Sequence, residues 1–484
     1  MPIADRREFL AALASTAAAQ LSRARASKAR KNVLFLAVDD LRASLGCFED
    51  TYAITPNIDA LARRGTLFRR TYCQEAVCNP SRQSLLTGCR PDTIRVWDLK
   101  THFRKTTHGI VTLPEHFRNH GYFAQSFGKI FHGQAPMDDP PSWSVPAQFQ
   151  FTPKQADYQL AKNHLHRIAG KADATEFVDA SDDAYPDGEV AAGAVQALQS
   201  YAKNHTQPFF LAVGMRKPHL PFTAPLRYWK LFDNRAVPSI PRFDPPEGAP
   251  EIALHNSVEL RGYLGIPQQG PLPPDLAQHL RRGYYASMAY TDAQFGRVLT
   301  ALRETGLDKN TLIVLWVDHG YHLGEHGLWC KTTNYELDTH VPLIVIDPSA
   351  GHAGAVCDAT VELLDIFPTV CDLCDVPAPH GLEGHSLRPW IERPSLASAR
   401  PAFSQFPRPW FYKGQPDVMG YAVRTDTHRY VEWRDFRTGA VTDRELYDMR
   451  SGPIESINLA ARITSKPLLD RLSRMLPAPA ARGA

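Results

Sequence analysis

Five short apolar runs alternate with helical patterns along the chain, and this alternation constrains the fold most strongly. The runs are typical of buried strands and lie at 32–38, 122–127, 208–214, 311–317 and 341–346. Helical patterns lie between them, at 55–65, 81–88, 112–121, 189–204 and 284–306. The order predicts an α/β fold in which a large, mostly parallel sheet is sandwiched by helices.

The pattern changes after about residue 395, where short alternating segments replace the long helices. We predict a catalytic domain at 32–394 and a smaller C-terminal α+β subdomain at 395–484, with an antiparallel sheet and a closing helix. Two long connections, 134–188 and 216–280, are rich in Pro, Asp and aromatic residues. Such long connections often carry function, so we expect them to form walls of the site.

The N-terminus is predicted to be a separable segment. Arg6 and Arg7 begin a twin-arginine-like signal, and a short alanine-rich run follows. An amphipathic helix or a disordered tail is the alternative. We predict an export signal and linker at 1–31, with no permanent membrane anchor, and a periplasmic or extracellular location. The first 31 residues carry a net charge of +5 in a chain of net +3, so the remainder carries about −2, which argues against nucleic acid as the partner.

Among eight cysteines, Cys78 has a distinctive context. Eight cysteines in 484 residues do not indicate a disulfide scaffold. Cys371 and Cys374 lie in an apolar helical pattern and are interpreted as buried core thiols rather than a redox or metal pair. Cys78, in contrast, opens the pentapeptide C-N-P-S-R at 78–82, which Thr87 and Gly88 follow.

Acidic residues follow two of the predicted strands. Asp39 and Asp40 come after the run at 32–38, and Asp318 and His319 come after the run at 311–317. Either pair alone would be read as a helix cap or a solvated turn. Together, at equivalent strand ends, they predict a site for one hard cation such as Ca²⁺.

Histidines near the second pair leave another interpretation open. His319, His322 and His326 have a loose zinc-like spacing, so a zinc phosphoesterase is an alternative. That alternative does not account for the pentapeptide at Cys78.

Cationic and imidazole side chains also cluster after predicted strands. Any one of them would ordinarily be a surface charge or a satisfied histidine. Their joint placement predicts an anion-binding site, and the set is Arg82, Lys129, His132, His219 and Lys331.

These motifs resemble type I, formylglycine-dependent sulfatases of the alkaline-phosphatase superfamily, and within them the iduronate-2-sulfatase branch. The similarity extends from about residue 32 to 460 and includes AVCNPSRQSLLTGCRPDT, GKIFH, FFLAVGMRKPHLPF and DHGYHLGEHGLWCK. In that family a maturating enzyme oxidises the cysteine to formylglycine (3-oxoalanine), which hydrates to a geminal diol. One hydroxyl attacks the sulfate ester, and the other later expels sulfate from the sulfo-enzyme intermediate.

The resemblance implies a role for each candidate residue. Asp39, Asp40, Asp318, His319 and modified Cys78 would bind one Ca²⁺. Arg82 would assist the nucleophile, and Lys129, Lys331 and His219 would surround the sulfate. His132 would accept a proton from the second hydroxyl, and either His219 or Lys331 would protonate the leaving oxygen.

The implied activity is exolytic 2-O-desulfation of iduronate or uronate residues in a sulfated glycan. Candidates for the sugar subsite are Trp97, Asp98, His102, Tyr321, His322 and the C-terminal segment around 405–410, although packing between domains is an equal interpretation for each. Three alternatives remain: another sulfated polysaccharide, including algal ones; a phosphodiesterase or phosphonate monoester hydrolase of the same superfamily; and a non-catalytic sulfoglycan-binding protein.

Overall fold

A computed structural model describes residues 30–134, 136–149, 157–168, 170–204, 206–452 and 454–477. The predicted export signal therefore lies almost entirely outside the described residues. Within the described ranges, no helix is both long enough and apolar enough to cross a membrane. All eight cysteines are free thiols, and Cys371 and Cys374 are buried.

A seven-stranded sheet forms the centre of the molecule, in the order β11-β2-β10-β7-β1-β5-β3. Neighbouring strands are parallel except where β10 pairs with β7 and with β2. The described strands are β1 Asn32–Val38, β2 Thr66–Tyr72, β3 Phe123–Gly128, β4 Thr175–Val178, β5 Phe209–Met215, β6 Phe222–Pro225, β7 Thr311–Val317, β8 His322–Leu323, β9 Trp329–Cys330, β10 His340–Ile346, β11 Ala355–Glu362, β12 Ala402–Arg408, β13 Val418–Arg424, β14 His428–Asp435 and β15 Val441–Asp448.

Helices flank this sheet, and the two longest pack against each other. The described helices are α1 Pro56–Ala62, α2 Cys78–Thr87, α3 Pro91–Ile94, α4 Phe103–Thr106, α5 Leu113–Asn119, α6 Ala161–Ile168, α7 Pro186–Asn204, α8 Leu226–Lys230, α9 Val258–Arg261, α10 Pro274–Glu304, α11 Glu336–Thr339, α12 Ile366–Leu373, α13 Arg388–Glu392 and α14 Lys466–Ser473. Strands β1, β5 and β7 are almost completely buried, as expected for parallel strands covered on both faces.

The predicted α/β class is confirmed, with additions. All five predicted strands are present, and β2 and β11 extend the sheet beyond them. The predicted helix at 81–88 begins earlier, at Cys78, because Val77 takes an extended conformation and serves as the N-cap. This earlier start places Cys78 in the first turn of α2.

A second, four-stranded antiparallel sheet occupies the C-terminal part, in the order β12-β13-β14-β15. The closing helix α14 packs against β14, so the predicted antiparallel subdomain is confirmed. Strand β12 contacts β2 and β11 of the central sheet, which places the two sheets side by side. The boundary near residue 395 remains a prediction.

Candidate active site

The predicted site residues converge at one edge of the central sheet. Strands β1, β3, β5 and β7 are mutually parallel, so their carboxyl ends lie at the same edge. Each strand is followed there by at least one candidate side chain. These are Asp39 and Asp40 after β1, Lys129 and His132 after β3, His219 after β5, and Asp318 and His319 after β7.

Cys78 lies at this edge in the first turn of α2, and only 2% of its surface is exposed. Its Sγ is 3.4 Å from Nε2 of His319. Burial and the nearby carboxylate of Asp39 raise the pKa of the thiol well above its ordinary value. An unmodified thiolate is therefore disfavoured at this position.

Arg82 connects three of the strand ends from one turn further along α2. Its Nε donates to Oδ2 of Asp318 at 2.8 Å, and its Nη2 donates to Oδ1 of Asp39 at 3.2 Å. Its Nη1 donates to the main-chain carbonyls of Lys129 and Ile130 at 2.6 and 3.1 Å. The side chain is completely buried, so the whole fork of donors serves to fix the geometry of the site.

Two lysines neutralise the adjacent carboxylates of Asp39 and Asp40. Nζ of Lys129 is 2.6 Å from Oδ2 of Asp39, and Nζ of Lys331 is 2.8 Å from Oδ2 of Asp40. Burial opposes ionisation of Asp39, but Lys129 and Arg82 outweigh it and hold the pKa of this carboxyl well below its ordinary value. Burial raises the pKa of Asp40 to about 7, and neighbouring Asp39 adds to the rise.

The turn at Asp40, directly after β1, has an unusual backbone conformation that neighbouring side chains hold in place. The φ of Asp40 is +62°, in the left-handed region that non-glycine residues seldom adopt. The main-chain amide of Asp40 donates to Oδ1 of Asp318, and the hydroxyl of Tyr284 donates to the Asp40 carbonyl at 2.7 Å. These contacts hold the turn at the end of β1 in place.

A group of potential metal ligands lies at the centre of the site. Asp39, Asp40, Cys78 and His319 each offer one ligand atom, and these atoms lie within 4.8 Å of one another. Oδ2 of Asp318 is 3.6 Å from Nε2 of His319, so its carboxylate borders the same space. Two or three carboxylates around one point fit a hard divalent cation.

The zinc-like spacing of the three histidines does not produce a shared site among the described residues. Nδ1 of His322 contacts Oδ1 of Asp338 at 2.6 Å, and Nε2 of His326 contacts the main-chain carbonyl of Glu455 at 2.9 Å. Only His319 joins the carboxylate group. The zinc alternative therefore loses its three-histidine basis.

His132 and His219 are held in their neutral forms. Burial, reinforced by Lys129, lowers the pKa of His132 well below its ordinary value, and its Nδ1 has no hydrogen-bond partner among the described residues. Burial and Lys331 likewise lower the pKa of His219. Nδ1 of His219 contacts the carbonyl of Leu220 at 2.5 Å, so Nε2 faces the site.

The site opens into a cavity of about 920 Å³, within the roughly 300–1,000 Å³ typical of sites for drug-sized ligands. Its lining includes Cys78, Lys129 and Lys331 together with the aromatic residues Trp410 and Phe411. The connection 216–280 supplies part of the lining, as predicted, whereas the described part of 134–188 supplies none. The lining residues are Val77, Cys78, Leu99, Lys129, His132, Arg216, His219, Leu220, Leu254, His255, Asn256, Ser257, Val258, Glu259, Gly262, Tyr263, Cys330, Lys331, Thr332, Arg408, Pro409, Trp410 and Phe411.

Glu259 is a site residue that the sequence analysis missed. It lies on the short helix α9, its Oε1 is 3.3 Å from Nε2 of His219, and its Oε2 is 2.8 Å from Nζ of Lys331. No periodic pattern surrounds it, and a glutamate beside a predicted anion site gives no sequence signal. Only the folded connection brings it to the cations.

Trp97 and Asp98 do not lie in the cavity wall. Nε1 of Trp97 donates to Asp92 at 2.7 Å, and its ring packs edge-on against Phe436. The carboxylate of Asp98 accepts from the main-chain amides of the two residues that follow Leu99, which stabilises a turn. Both contacts are structural.

His102, Tyr321 and His322 are also outside the cavity lining, whereas part of the predicted segment 405–410 lies in it. His102 caps α4 and stacks on Phe103. Tyr321 is completely buried, and its hydroxyl donates to Sγ of Cys330 at 3.3 Å. His322 is buried as well and pairs with Asp338, so its Nδ1 is engaged.

Comparison with known protein families gives two matches. The model of the family described as Sulfatase matches residues 31–376. The model described as N-sulphoglucosamine sulphohydrolase, C-terminal, matches residues 324–480.

Curated relatives cover nearly the whole chain. Iduronate 2-sulfatase of Homo sapiens is 34% identical over 507 residues, covering 88% of this chain and 90% of that protein. A sulfatase of Formosa agariphila is 30% identical over 462 residues, covering 93% and 86%.

Solved structures show the same fold at lower identity. The phosphonate monoester hydrolase of Agrobacterium radiobacter superposes with a TM-score of 0.73 at 23% identity, covering 92% of this chain and 94% of that one. BT1596, a 2-O GAG sulfatase, superposes with a TM-score of 0.69 at 21% identity, covering 92% and 91%.

Proposed function

The chain belongs to the sulfatase family and is a sulfuric-ester hydrolase, and from this premise we propose that it removes sulfate exolytically from 2-O-sulfated uronate residues of a glycan. One observation carries the proposal. Cys78 lines a cavity of about 920 Å³, with Lys129, His132, His219 and Lys331 in the same lining. A nucleophile position surrounded by cations and imidazoles suits attack on an anionic ester.

The carboxylate group supports a bound metal ion. Asp39, Asp40, Asp318 and His319, with modified Cys78, would hold one Ca²⁺. When bound, a divalent cation polarises the ester and favours the ionised nucleophile. The hydrated aldehyde of a formylglycine at position 78 would supply the attacking hydroxyl and the later route for sulfate release.

The chain's own side chains complete the chemistry. Lys129 and Lys331 would neutralise charge on the sulfate oxygens in the transition state. His132, which is neutral, would accept a proton from the second hydroxyl. Lys331, or His219 once it has taken up a proton at Nε2, would protonate the leaving sugar oxygen, and Arg82 would fix Asp39 and Asp318 during the reaction.

The cavity wall favours a uronate-containing glycan. Arg408 lies in the lining and makes no ion pair within 4.0 Å among the described residues, and its donors contact the main-chain carbonyls of Ile252, Ala253 and Thr332. Burial lowers the pKa of Arg408 to about 10, so it stays cationic at neutral pH and suits a sugar carboxylate. The rings of Trp410 and Phe411, with centroids 5.6 Å apart, offer apolar faces to a pyranose ring.

The human relative named iduronate 2-sulfatase and the structural neighbour named 2-O GAG sulfatase favour the 2-O position. The phosphonate monoester hydrolase fold keeps phosphorus esters as a second candidate. We further propose that the chain is exported through its twin-arginine-like signal and that a formylglycine-generating enzyme acts on Cys78.

The test combines mass spectrometry with turnover. Protein co-expressed with a formylglycine-generating system is digested with trypsin, and the peptide at 71–82 is weighed. We expect a loss of about 18 Da relative to the cysteine form, in proportion to hydrolysis of aryl sulfate and of a 2-O-sulfated iduronate disaccharide. Cys78→Ala, which keeps the residue small, should fold normally and show no turnover.

Two outcomes would overturn parts of the proposal. Equal turnover by protein with unmodified Cys78 would exclude the diol mechanism. A kcat/KM for phosphate diesters far above that for sulfate esters would favour the second candidate.

A further inference from the structure

The carboxylate of Glu259 lines the cavity and contacts two side chains of the anion site, Lys331 and His219. The Glu259 side chain is 31% exposed and lines the cavity, while its oxygens contact Lys331 at 2.8 Å and His219 at 3.3 Å. None of the roles assigned above to the site residues uses this carboxylate. The Glu259 carboxylate is therefore a negative charge in the anion site for which no function has been given.

The ion pairs of the site show what this charge does. Arg82 is paired with Asp39 and Asp318, and Lys129 is paired with Asp39. Lys331 alone among these cations is shared between a carboxylate of the metal-ligand group, Asp40, and one in the cavity wall. Removing Glu259 would therefore raise the net charge facing the cavity by one unit, whatever charge a bound metal contributes.

This unit of charge matters for a sulfatase because the substrate and the product carry different negative charges. A sulfate ester carries one negative charge, whereas the inorganic sulfate that leaves carries two. A carboxylate beside the anion site repels the second charge more strongly than the first. For a unit charge about 5 Å away in a half-exposed site, the difference corresponds to about a tenfold change in relative affinity.

We propose that Glu259 is a specificity-determining residue that makes the anion site discriminate against doubly charged anions, which speeds release of the sulfate product and disfavours phosphate monoesters. This inference rests on the proposed sulfatase function for its purpose. The charge discrimination itself is a property of binding and is testable without turnover.

The experiment compares two anions that differ by one charge and share the same sulfur centre. Calorimetry on the full-length protein measures the Kd of inorganic sulfate and of methyl sulfate. Glu259→Gln keeps the shape of the side chain and removes its charge, and Glu259→Asp keeps the charge. Glu251→Gln, an equal charge change at an exposed residue outside the cavity lining, is the matched control.

We expect E259Q to tighten binding of inorganic sulfate relative to methyl sulfate by about tenfold, while E251Q leaves the ratio unchanged and E259D stays near the parent protein. Product inhibition by sulfate should increase in E259Q by a similar factor. An equal change in both Kd values, or weaker relative binding of inorganic sulfate, would overturn the inference. Absence of sulfate-ester turnover in the parent protein would instead refute the proposed function and leave the Kd comparison valid.

Discussion

Arg82 fixes the relative positions of three strand ends in the site, which no contact predicted from the sequence does. From one turn of α2 it reaches Asp39, Asp318 and the carbonyls after β3, at distances of 2.6–3.2 Å. From the sequence, Arg82 is predicted to belong to the anion-binding set, with the resemblance implying that it assists the nucleophile. Its contacts with the main-chain carbonyls of Lys129 and Ile130 could not be predicted from the position of Arg82 in the sequence, because they depend on where β3 ends.

Replacing Arg82 by Lys tests this role. One ammonium group cannot replace a planar fork that contacts two buried carboxylates, so a charge is left uncompensated. We expect R82K to lower the free energy of unfolding by about 3–5 kcal/mol and kcat/KM for aryl sulfate by about 100-fold or more. Urea unfolding and steady-state kinetics provide the two measurements.

The control for that variant is R64K, because Arg64 forms an exposed pair with Asp308 at 3.4 Å. It should change stability by less than about 1 kcal/mol. If R82K unfolded at the same urea concentration as R64K and kept full activity, the connecting role of Arg82 would be refuted.

At the scale of the elements, the closely packed ends of β3 and β5 position Lys129. Gly128 has a φ of +74°, and a Cβ there would lie 2.1 Å from the carbonyl oxygen of Gly214. A Cβ on Gly214 would in turn lie 2.1 Å from the carbonyl oxygen of Lys129. Both strands can end this close together only because both residues are glycine.

Gly128→Ala should separate these strand ends and displace Lys129. We expect a stability loss of about 1–3 kcal/mol and a fall in kcat/KM of about 100-fold, because a displacement near 1 Å is enough for such a loss. Gly133→Ala is the matched control, since a Cβ at Gly133 meets no atom within 4 Å. Thermal unfolding and aryl-sulfate kinetics should show a lower Tm and a lower kcat/KM for Gly128→Ala than for Gly133→Ala. Equal values for the two variants would refute the proposal that the glycines at the strand ends position Lys129.

The sequence predicted the buried strands well and the mixed-polarity strands poorly. Strands β1, β5 and β7 are continuous apolar runs because both faces of each are covered. Strand β2 contains Arg69 and Arg70, and the edge strand β11 is partly exposed, so neither forms such a run. The reversed direction of β10 was also beyond prediction, because periodicity is the same for either direction.

The same reasoning explains the outcome at the site. Residues directly after apolar strands, such as Asp39 and Asp318, could be placed at one edge because topology brings parallel strand ends together. Glu259 comes from a short helix, and its approach depends on tertiary packing. Arg408 lies in the segment 405–410 that is predicted to reach the sugar subsite, but its individual position at the end of β12 depends on how the second sheet packs. Residues proposed from proximity to the motif, such as Trp97, instead serve local packing.

At the scale of the whole molecule, Glu336 joins the central sheet to the C-terminal sheet. It is buried, accepts from the hydroxyl of Tyr72 in β2 at 2.8 Å, and pairs with Arg424 of β13 at 2.9 Å and Arg429 of β14 at 2.5 Å. Burial opposes its ionisation, but Arg424 and Arg429 outweigh burial and lower the pKa of Glu336 far below its ordinary value.

This ion-pair group predicts a pH dependence of stability. A folded-state pKa below the unfolded value gives stability that is complete above about pH 4.5 and is lost as the pH falls below it. Glu336→Gln should lower the free energy of unfolding by about 3–5 kcal/mol at pH 7, since buried Arg424 loses its carboxylate partner and Arg429 keeps only its pair with Glu455. The difference from the parent protein should shrink from pH 5 towards pH 3 in urea titrations.

Glu392→Gln provides the comparison, because Glu392 forms an exposed i,i+4 pair with Arg388 at 3.5 Å. Its stability should follow the parent protein within about 1 kcal/mol at every pH. A constant difference between E336Q and the parent across the acidic range would show that the pairing with the arginines is not what stabilises the contact between sheets.

The position of β10 between β7 and β2 has a consequence for the growing chain. Strand β2 is hydrogen-bonded to β10 and β11 in the sheet. The first of these partners, β10, is synthesised about 270 residues after β2. At about 5–20 residues per second, that interval lasts roughly 15–50 s. During this interval β2 has neither of its sheet partners, and the segment of Cys78 that follows it is not yet enclosed by them. Synthesis of the chain thus provides a period during which an enzyme can reach a thiol that the finished fold buries.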